Sequence, residues 1–158
     1  QVADQWGLRT DADEDVLRWA CRLHEIGLTI SHSQYHKHGA YLLRYSDLPG
    51  FTQQFQKDLA TLVRGHRRKF SAAVFEGIEP EDKPRLRYLC VLVRLAVLIQ
   101  HPRNLEQPPE FSLHGHENKL VVELPQGWLD NRPLTLADLK NERDYLARQD
   151  FVLEISAR

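Results

Sequence analysis

The 158-residue sequence contains no methionine and only two cysteines, which are too far apart to form a CxxC motif. Cys21 and Cys90 lie on apolar helical faces, so we predict buried free thiols, which favour a cytoplasmic protein. No apolar run approaches the roughly 20 residues of a transmembrane helix, and no membrane span is expected. The chain opens QVADQWGL, without an initiator methionine or a charged-then-apolar leader, and we interpret it as part of a longer protein.

The formal net charge is only −1, which argues against general affinity for nucleic acid. The charges are unevenly distributed, however. Residues 61–103 carry nine basic and four acidic side chains, a net of +5. Residues 1–60 carry six basic and eight acidic side chains, and the last 55 residues carry six and ten. A basic middle between two acidic flanks predicts a local anion-binding site.

Helical periodicity dominates the sequence up to about residue 102. Asp11 or Asp13 is expected to cap the first helix, and the SDLPGF segment is expected to form a turn. The run YLCVLVRLAVLI is apolar nearly all round, which predicts a helix in the centre of the core. The predicted helices cover about 13–28, from Ser31 or Ser33 to Tyr45, about 52–68 and about 81–100.

The hydrophobic period changes after the segment HPRNLEQPPE, 101–110, whose three prolines predict a linker. FSLHGHENKLVVEL predicts two strands around a turn at 115–118. TLADLKNERDYLARQ predicts a helix opened by Thr135, and FVLEIS predicts a last strand. We therefore predict a mainly α protein, with a helical domain over 1–103 followed by a small β-β-α-β (α+β) domain over 109–158.

Histidine is concentrated in one stretch, and the text LHEIGLTISHSQYHKHGAYLL has the layout of an HD-type phosphohydrolase core. Such a core needs an earlier His, an adjacent His-Asp pair and a distant Asp around a divalent metal ion. Here no His precedes position 24, the pair is His24-Glu25, and Val97 stands where a functional relative typically has Asp. We therefore predict a degenerate HD-like domain that holds no metal. Five of the eight histidines lie in this part of the chain: His24, His32, His36, His38 and His66.

These histidines have two interpretations each. His24 lies beside an apolar stripe and is either a hydrogen-bonded core residue or a ligand. Glu25 turns roughly 100° away on a helix, which predicts pairing with His36, His38 or Arg22. An alternative is that an anion passage is lined by His32, His36 and His38, whose protonation would help to bind phosphate. No chemistry is assigned to His101, His114 and His116.

LHEIGLTISHSQYHKHGAYLLRYSDLPGF, followed by LATLVRGHRRKF and VLVRLAVLIQ, closely resembles the C-terminal part of bacterial exopolyphosphatases. These belong to the exopolyphosphatase/guanosine pentaphosphate phosphatase family. The resemblance covers essentially the whole chain; it is strongest over 23–70 and weaker after 104. It implies that an N-terminal half outside this sequence holds two actin-like domains with glycine-rich phosphate loops, a catalytic Glu and Mg. The eight glycines here are scattered, so no catalytic residue and no cofactor is assigned to this chain.

The basic segment VRGHRRKF lies at the end of the third predicted helix. Arg binds phosphate oxygens through paired hydrogen bonds, and Lys adds a compact charge. The alternative interpretation is that these cations complement the helix macrodipole and stay solvated. His66 faces the apolar side and has a structural interpretation as well. The candidate polyphosphate-binding residues are Arg64, His66, Arg67, Arg68, Lys69, His36 and His38.

The resemblance implies a non-catalytic module of an exopolyphosphatase, a hydrolase of phosphoanhydride bonds. This module would bind long-chain polyphosphate and guide it toward the active site of the absent half, and it would be inactive alone. The expected partners are inorganic polyphosphate, the N-terminal catalytic domains and a second copy in a homodimer. The expected location is cytoplasmic, with a peripheral position at the inner membrane as a variant. Two alternatives stay open: a metal-dependent HD-type phosphohydrolase of nucleotides or alarmones, and a guanosine pentaphosphate phosphatase as the parent protein.

Overall fold

A computed structural model describes residues 2–8, 11–100 and 109–158. The chain divides into two compact units, one formed by Thr10–Ala96 and the other by Gln1–Arg9 together with Val97–Arg158. The predicted linker lies outside the described residues except for its last two positions, as does His101. The boundary between 1–103 and 109–158 therefore stays a prediction.

The described elements confirm a mainly α chain with a small β-β-α-β segment at its C-terminal end. The short helix α1 at the start of the chain was not predicted. The helices are α1 (Val2–Gln5), α2 (Asp11–Leu23), α3 (Tyr35–Tyr45), α4 (Gln53–Gly65), α5 (Lys83–Gln100) and α6 (Pro133–Ala147). The strands are β1 (Ser112–His116), β2 (Lys119–Leu124) and β3 (Val152–Ala157), and 3-10 helices cover Ile26–Thr29 and Ala72–Phe75.

In the smaller unit the strand order is β1-β2-β3, with β1 and β2 antiparallel and β2 and β3 parallel. A parallel pair needs a crossover connection, and α6 provides it. The N-terminal residues complete this unit. Trp6 lies edge-on to Phe151 with ring centroids 5.9 Å apart, and its indole nitrogen donates to the Glu117 carbonyl at 3.1 Å. The lack of a side chain at Gly115 leaves room for the Trp6 ring, which a Cβ would meet at 2.5 Å.

In the larger unit α3 and α4 pack against each other across the predicted SDLPGF turn. Buried Gln56 donates to the carbonyls of Leu43 and Ser46 at 3.0 and 2.9 Å, which satisfies acceptors left over at the end of α3. The Thr52 side chain accepts from the backbone N–H of Phe55 at 3.1 Å and caps α4. Helix α5 is central, as predicted, with buried Leu86, Leu89, Cys90, Val91, Val93 and Leu95.

The first predicted helix is too long, because α2 ends at Leu23 and His24-Glu25 lies in a turn before the 3-10 helix. A Cβ on Gly27 would overlap the Tyr35 carbonyl oxygen. This close approach between the 3-10 helix and the start of α3 requires the chain to leave α2 before Gly27. Helix α3 accordingly begins at Tyr35 rather than at a serine, and Gln34 before it has a left-handed φ of 54°.

The third predicted helix also extends too far, since α4 ends at Gly65 rather than Arg68. Buried Arg94 on α5 donates to the carbonyl oxygens of Gly65 and Arg68 at 2.6 and 2.7 Å. These carbonyls are therefore bound by a side chain from another helix. Arg68 adopts a φ of +65°, which ends helical geometry at that point.

An ion triad links α2, α4 and α5. The Arg85 guanidinium donates to the Asp13 carboxylate at 2.7 Å and to the Asp58 carboxylate at 2.5 Å. Both carboxylates are nearly buried, with side-chain exposures of 5% and 9%, while that of Arg85 is 29%. Because buried charges need partners, Arg85 holds three helices in a defined arrangement.

We expect Arg85→Met to lower the free energy of unfolding by about 2 to 4 kcal/mol at pH 7, because two buried carboxylates would lose their counter-charge. The matched control is Arg18→Met, which breaks an exposed pair with Asp15 at 3.4 Å. That control should cost less than about 1 kcal/mol. Urea denaturation measures both. Equal losses in the two variants would show that the triad contributes no more than a surface pair.

Candidate functional site

Three of the predicted histidines come together where α3 meets the end of α4. The rings of His24 and His66 are 5.2 Å apart at an angle of 71°, and those of His36 and His66 are 6.5 Å apart. Tyr35 lies beside them, with its ring centroid 5.7 Å from that of His66. We call His24, Tyr35, His36 and His66 the imidazole cluster. His32 is exposed and His38 is half-buried on α3.

Backbone carbonyls determine the orientation of two of these rings. His24 Nδ1 lies 2.7 Å from the Cys21 carbonyl oxygen, and His66 Nδ1 lies 2.5 Å from that of Val63. A carbonyl only accepts, so each Nδ1 carries the proton and donates. In neutral His66 the Nε2 atom is then an unprotonated acceptor. His66 Nε2 and His36 Nδ1 are buried and have no hydrogen-bond partner among the described residues.

Burial makes two histidines of the cluster weak bases. It lowers the pKa of His66 from 6.5 to about 3, against the opposing hydrogen bond to Val63. Burial, together with the charges of Arg67 and Lys37, lowers the pKa of His36 from 6.5 to about 4. Both side chains are neutral at pH 7 for this reason. Burial thus opposes the protonation that was expected to help His36 bind phosphate, and its place in a phosphate site stays a prediction.

The degenerate metal positions are not arranged as a ligand set. His24 is half-buried in the turn after α2, and the side chain of Glu25 is exposed. Val97 lies on α5 and has no donor atom. Across residues 2–8, 11–100 and 109–158, no three His, Cys, Asp or Glu side chains are grouped so that they could hold a metal ion.

The basic segment lies at and beyond the C-terminal end of α4. Arg64 is exposed on the last turn of α4, and Arg68 and Lys69 are exposed in the following loop. The guanidinium carbon of Arg67 lies 4.3 Å from the centre of the Tyr35 ring, a cation–π contact that fixes this side chain beside the imidazole cluster. Three exposed cations and the Arg67 guanidinium, which is held by its contact with Tyr35, thus share one edge of the unit.

A second basic feature was not predicted from the sequence. A groove of about 590 Å³ runs between α3, α4 and the segment after the second 3-10 helix. Its cations are Lys37 and Arg44 on α3 and Lys57 and Arg64 on α4. Each helix carries its pair seven residues apart, a spacing that keeps side chains on one face. This seven-residue spacing is the sequence signal from which a basic face on each helix could have been predicted. We call the feature the α3–α4 groove.

The remaining expectations concern single residues. Cys90 is buried and forms no disulfide, as predicted, whereas Cys21 is only half-buried; burial raises the pKa of the Cys21 thiol. His114 lies on β1 and its Nε2 is 3.4 Å from the Glu123 carboxylate, while His116 is exposed. No helix within the described ranges has both the length and the apolarity needed to cross a bilayer.

Residues 1–143 match domain III of the Ppx/GppA phosphatases. The chain belongs to the Ppx/GppA phosphatase family, which confirms the resemblance. It is 30% identical over 156 residues to the guanosine-5'-triphosphate,3'-diphosphate pyrophosphatase of Pseudoalteromonas translucida (strain TAC 125), a match that covers 99% of the chain. The chain spans about a third of that relative's length, 31%.

The lowered pKa of His66 predicts a dependence of stability on pH. The folded-state pKa of about 3 lies below the unfolded value of 6.5, so the unfolded chain binds more protons between these values. The contribution of neutral His66 to the free energy of unfolding is then fully present above pH 6.5, and it falls as the pH is lowered below that value. We expect His66 alone to account for a loss of about 2 kcal/mol between pH 7 and pH 5.

Urea denaturation at both pH values tests this prediction by comparing the wild type with His66→Gln. The variant should lose about 2 kcal/mol less on acidification, because Gln does not titrate. His32→Gln, at an exposed position of the same unit, is the control and should keep the wild-type dependence. An unchanged pH dependence in His66→Gln would contradict burial of a neutral imidazole at this position.

Proposed function

We propose that this chain is a non-catalytic phosphate-binding module of a phosphoanhydride hydrolase. It would bind long-chain polyphosphate and guide it toward an active site in the N-terminal part of a longer protein. The observation that carries the proposal is the group of exposed cations at the end of α4, namely Arg64, Arg68 and Lys69, beside Arg67. Membership of the Ppx/GppA phosphatase family supports a phosphorylated substrate.

The electrostatic surroundings of the cluster support this assignment. The charges of Arg67, Lys37, Arg68 and Arg64 all act on His36 and lower its pKa, so these cations lie close enough to produce a common positive potential. A polyphosphate chain carries charge along its whole length and would contact several of them at once. Several weak contacts on one chain raise its affinity together, so longer chains gain more.

The histidines have a different role in this proposal. His36 and His66 are neutral at pH 7, so they would support the basic segment rather than neutralise phosphate. His66 packs against Tyr35, and Tyr35 lies under the Arg67 guanidinium. The imidazole cluster would thus hold Arg67 in one orientation. His38 is half-buried and stays a candidate for direct contact.

The parent protein has two candidate substrates. The relative from Pseudoalteromonas translucida has a name that specifies a guanosine derivative with a 5'-triphosphate and a 3'-diphosphate. This observation favours guanosine pentaphosphate phosphatase as the second candidate for the parent activity. Both substrates would be cleaved at a phosphoanhydride bond. The proposal also includes N-terminal catalytic domains that hold a Mg ion, assembly into a homodimer and a cytoplasmic location.

We expect the double variant Arg67→Gln/Arg68→Gln to bind long-chain polyphosphate about threefold to thirtyfold more weakly, because two exposed ion pairs are lost. Short chains should lose less, since they reach fewer cations. Wild-type affinity should fall as salt is added, because screening weakens each contact. Titration calorimetry with polyphosphates of two defined length ranges, at two salt concentrations, measures these effects.

The matched control carries the same change in net charge at exposed cations of the other unit, Lys140→Gln/Arg148→Gln. This control should bind polyphosphate like the wild type. If both double variants lose affinity equally, the binding depends on net charge alone. If neither loses affinity, the basic segment is a solvated helix end and the phosphate path lies elsewhere.

The competing function is that of a metal-dependent HD-type phosphohydrolase, which predicts tightly bound metal and turnover by this chain. Val97 has no donor atom, and one earlier His is absent from the sequence, so we expect no stoichiometric transition metal in the purified chain. We also expect no release of phosphate from polyphosphate or nucleotides. Elemental analysis and a phosphate assay test both expectations. One equivalent of tightly bound metal, together with turnover that is lost in His24→Ala, would establish the competing function instead.

A further inference from the structure

The α3–α4 groove has a composition that differs from that of the basic segment. Its four cations face a single carboxylate, Glu76, among the lining residues. Its other lining residues are uncharged: Ala40, Tyr41, Tyr45, Ala60, Thr61, Val74, Gly77 and Ile78. Four positive charges and one negative charge around one concave surface favour an anionic ligand.

Two tyrosines line the same groove and expose unusual amounts of aromatic surface. Tyr41 is 64% exposed and Tyr45 is 70% exposed, and their ring centroids are 4.9 Å apart. The guanidinium carbon of Arg44 lies 5.6 Å from the centre of the Tyr45 ring. The two ring planes are inclined at 51°, so a planar π-system can stack on the exposed face of one ring while the other ring lies at its edge.

The positions along the helices separate the aromatic end of the groove from a phosphate-binding end. Lys37 lies in the first turn of α3 and Tyr45 is its last residue, so they are about 12 Å apart along the helix axis. Arg64 lies in the last turn of α4, and both Arg64 and Lys37 act electrostatically on His36. The Lys37 and Arg64 end therefore carries positive charge without aromatic rings.

The volume of about 590 Å³ is typical of small-molecule sites, and the small side chains of Ala40 and Ala60 keep the groove open between the helices. Thr61 adds a hydroxyl whose proton is donated to the Lys57 carbonyl at 2.8 Å. Its oxygen is therefore an acceptor in the groove. An acceptor, four cations and two aromatic rings match the parts of a nucleotide better than those of a uniform anionic chain.

From these observations we infer that the α3–α4 groove binds a nucleoside polyphosphate. The base stacks on the face of one of the two tyrosines, Tyr41 or Tyr45, with the other ring at its edge, and the phosphates extend toward Lys57, Lys37 and Arg64. This site differs from the basic segment in its chemistry, because inorganic polyphosphate has no π-face to stack. The inference does not depend on the proposed guiding of polyphosphate, although Arg64 borders both surfaces.

The experiment titrates the 158-residue chain with ATP, GTP and inorganic tripolyphosphate, using calorimetry and chemical-shift changes at the backbone of α3 and α4. ATP and GTP should bind with similar affinity, because stacking does not read the edges of the base. Both should bind more tightly than tripolyphosphate. Tyr41→Ala/Tyr45→Ala should weaken both nucleotides by roughly fivefold to hundredfold and leave tripolyphosphate within about twofold.

Charge variants separate this site from the basic segment. Lys57→Gln should weaken nucleotides and tripolyphosphate alike, whereas Lys83→Gln, at an exposed cation at the start of α5, should have no effect. Arg67→Gln/Arg68→Gln removes charge near the groove but no groove residue, so it should weaken ATP by less than about threefold even if it abolishes polyphosphate binding. Failure of the polyphosphate proposal would thus leave this inference standing.

Three outcomes would overturn the inference. Equal affinity for ATP and tripolyphosphate would mean that the base makes no contact. Unchanged ATP affinity in the tyrosine double variant, with circular dichroism like that of the wild type, would remove the stacking surface. Loss of ATP binding in Arg67→Gln/Arg68→Gln but not in Lys57→Gln would assign the nucleotide to the basic segment.

Discussion

The buried guanidinium of Arg94 determines the architecture around the candidate site. Its hydrogen bonds to the carbonyls of Gly65 and Arg68 end α4 and shape the loop that carries the basic segment. A buried charge requires such partners, and backbone carbonyls at a helix end supply them because they have no acceptor role within the helix. His66 lies between the two anchored residues, and this loop geometry keeps its ring in the interior.

The imidazole cluster consists of side chains that are typical of a metal site but that here pack against one another. His24 and His66 each donate Nδ1–H to a carbonyl of the preceding helical turn, an orientation that also suits histidine ligands of metals. Within the part of the chain that the structure describes, no carboxylates are grouped with these rings to complete a ligand set. What remains is a group of rings, packed against Tyr35 and covered by Arg67, that links the turn after α2 to the end of α4.

Arg64 connects two basic surfaces that differ in chemistry. On one side lie the loop cations Arg68 and Lys69, which are exposed. On the other side lies the α3–α4 groove, which is lined by four cations and two tyrosines. The fold can place both surfaces on one unit because α3 and α4 approach closely, with small residues at their contact. A Cβ on Gly39, for example, would lie only 3.1 Å from the Cγ1 atom of Val63.

The sequence by itself determined the element types, the family and the basic character of the middle region. Helical periodicity, proline positions and charge counts are local properties, and they predicted α3, α4, α5 and the β-β-α-β segment. Tertiary structure alone decided where helices end and which cations face which surface. The end of α2 depends on contact between Gly27 and Tyr35, and the end of α4 depends on Arg94, 26 residues beyond Arg68. The α3–α4 groove likewise exists only where two helices, each with an ordinary basic stripe, lie side by side.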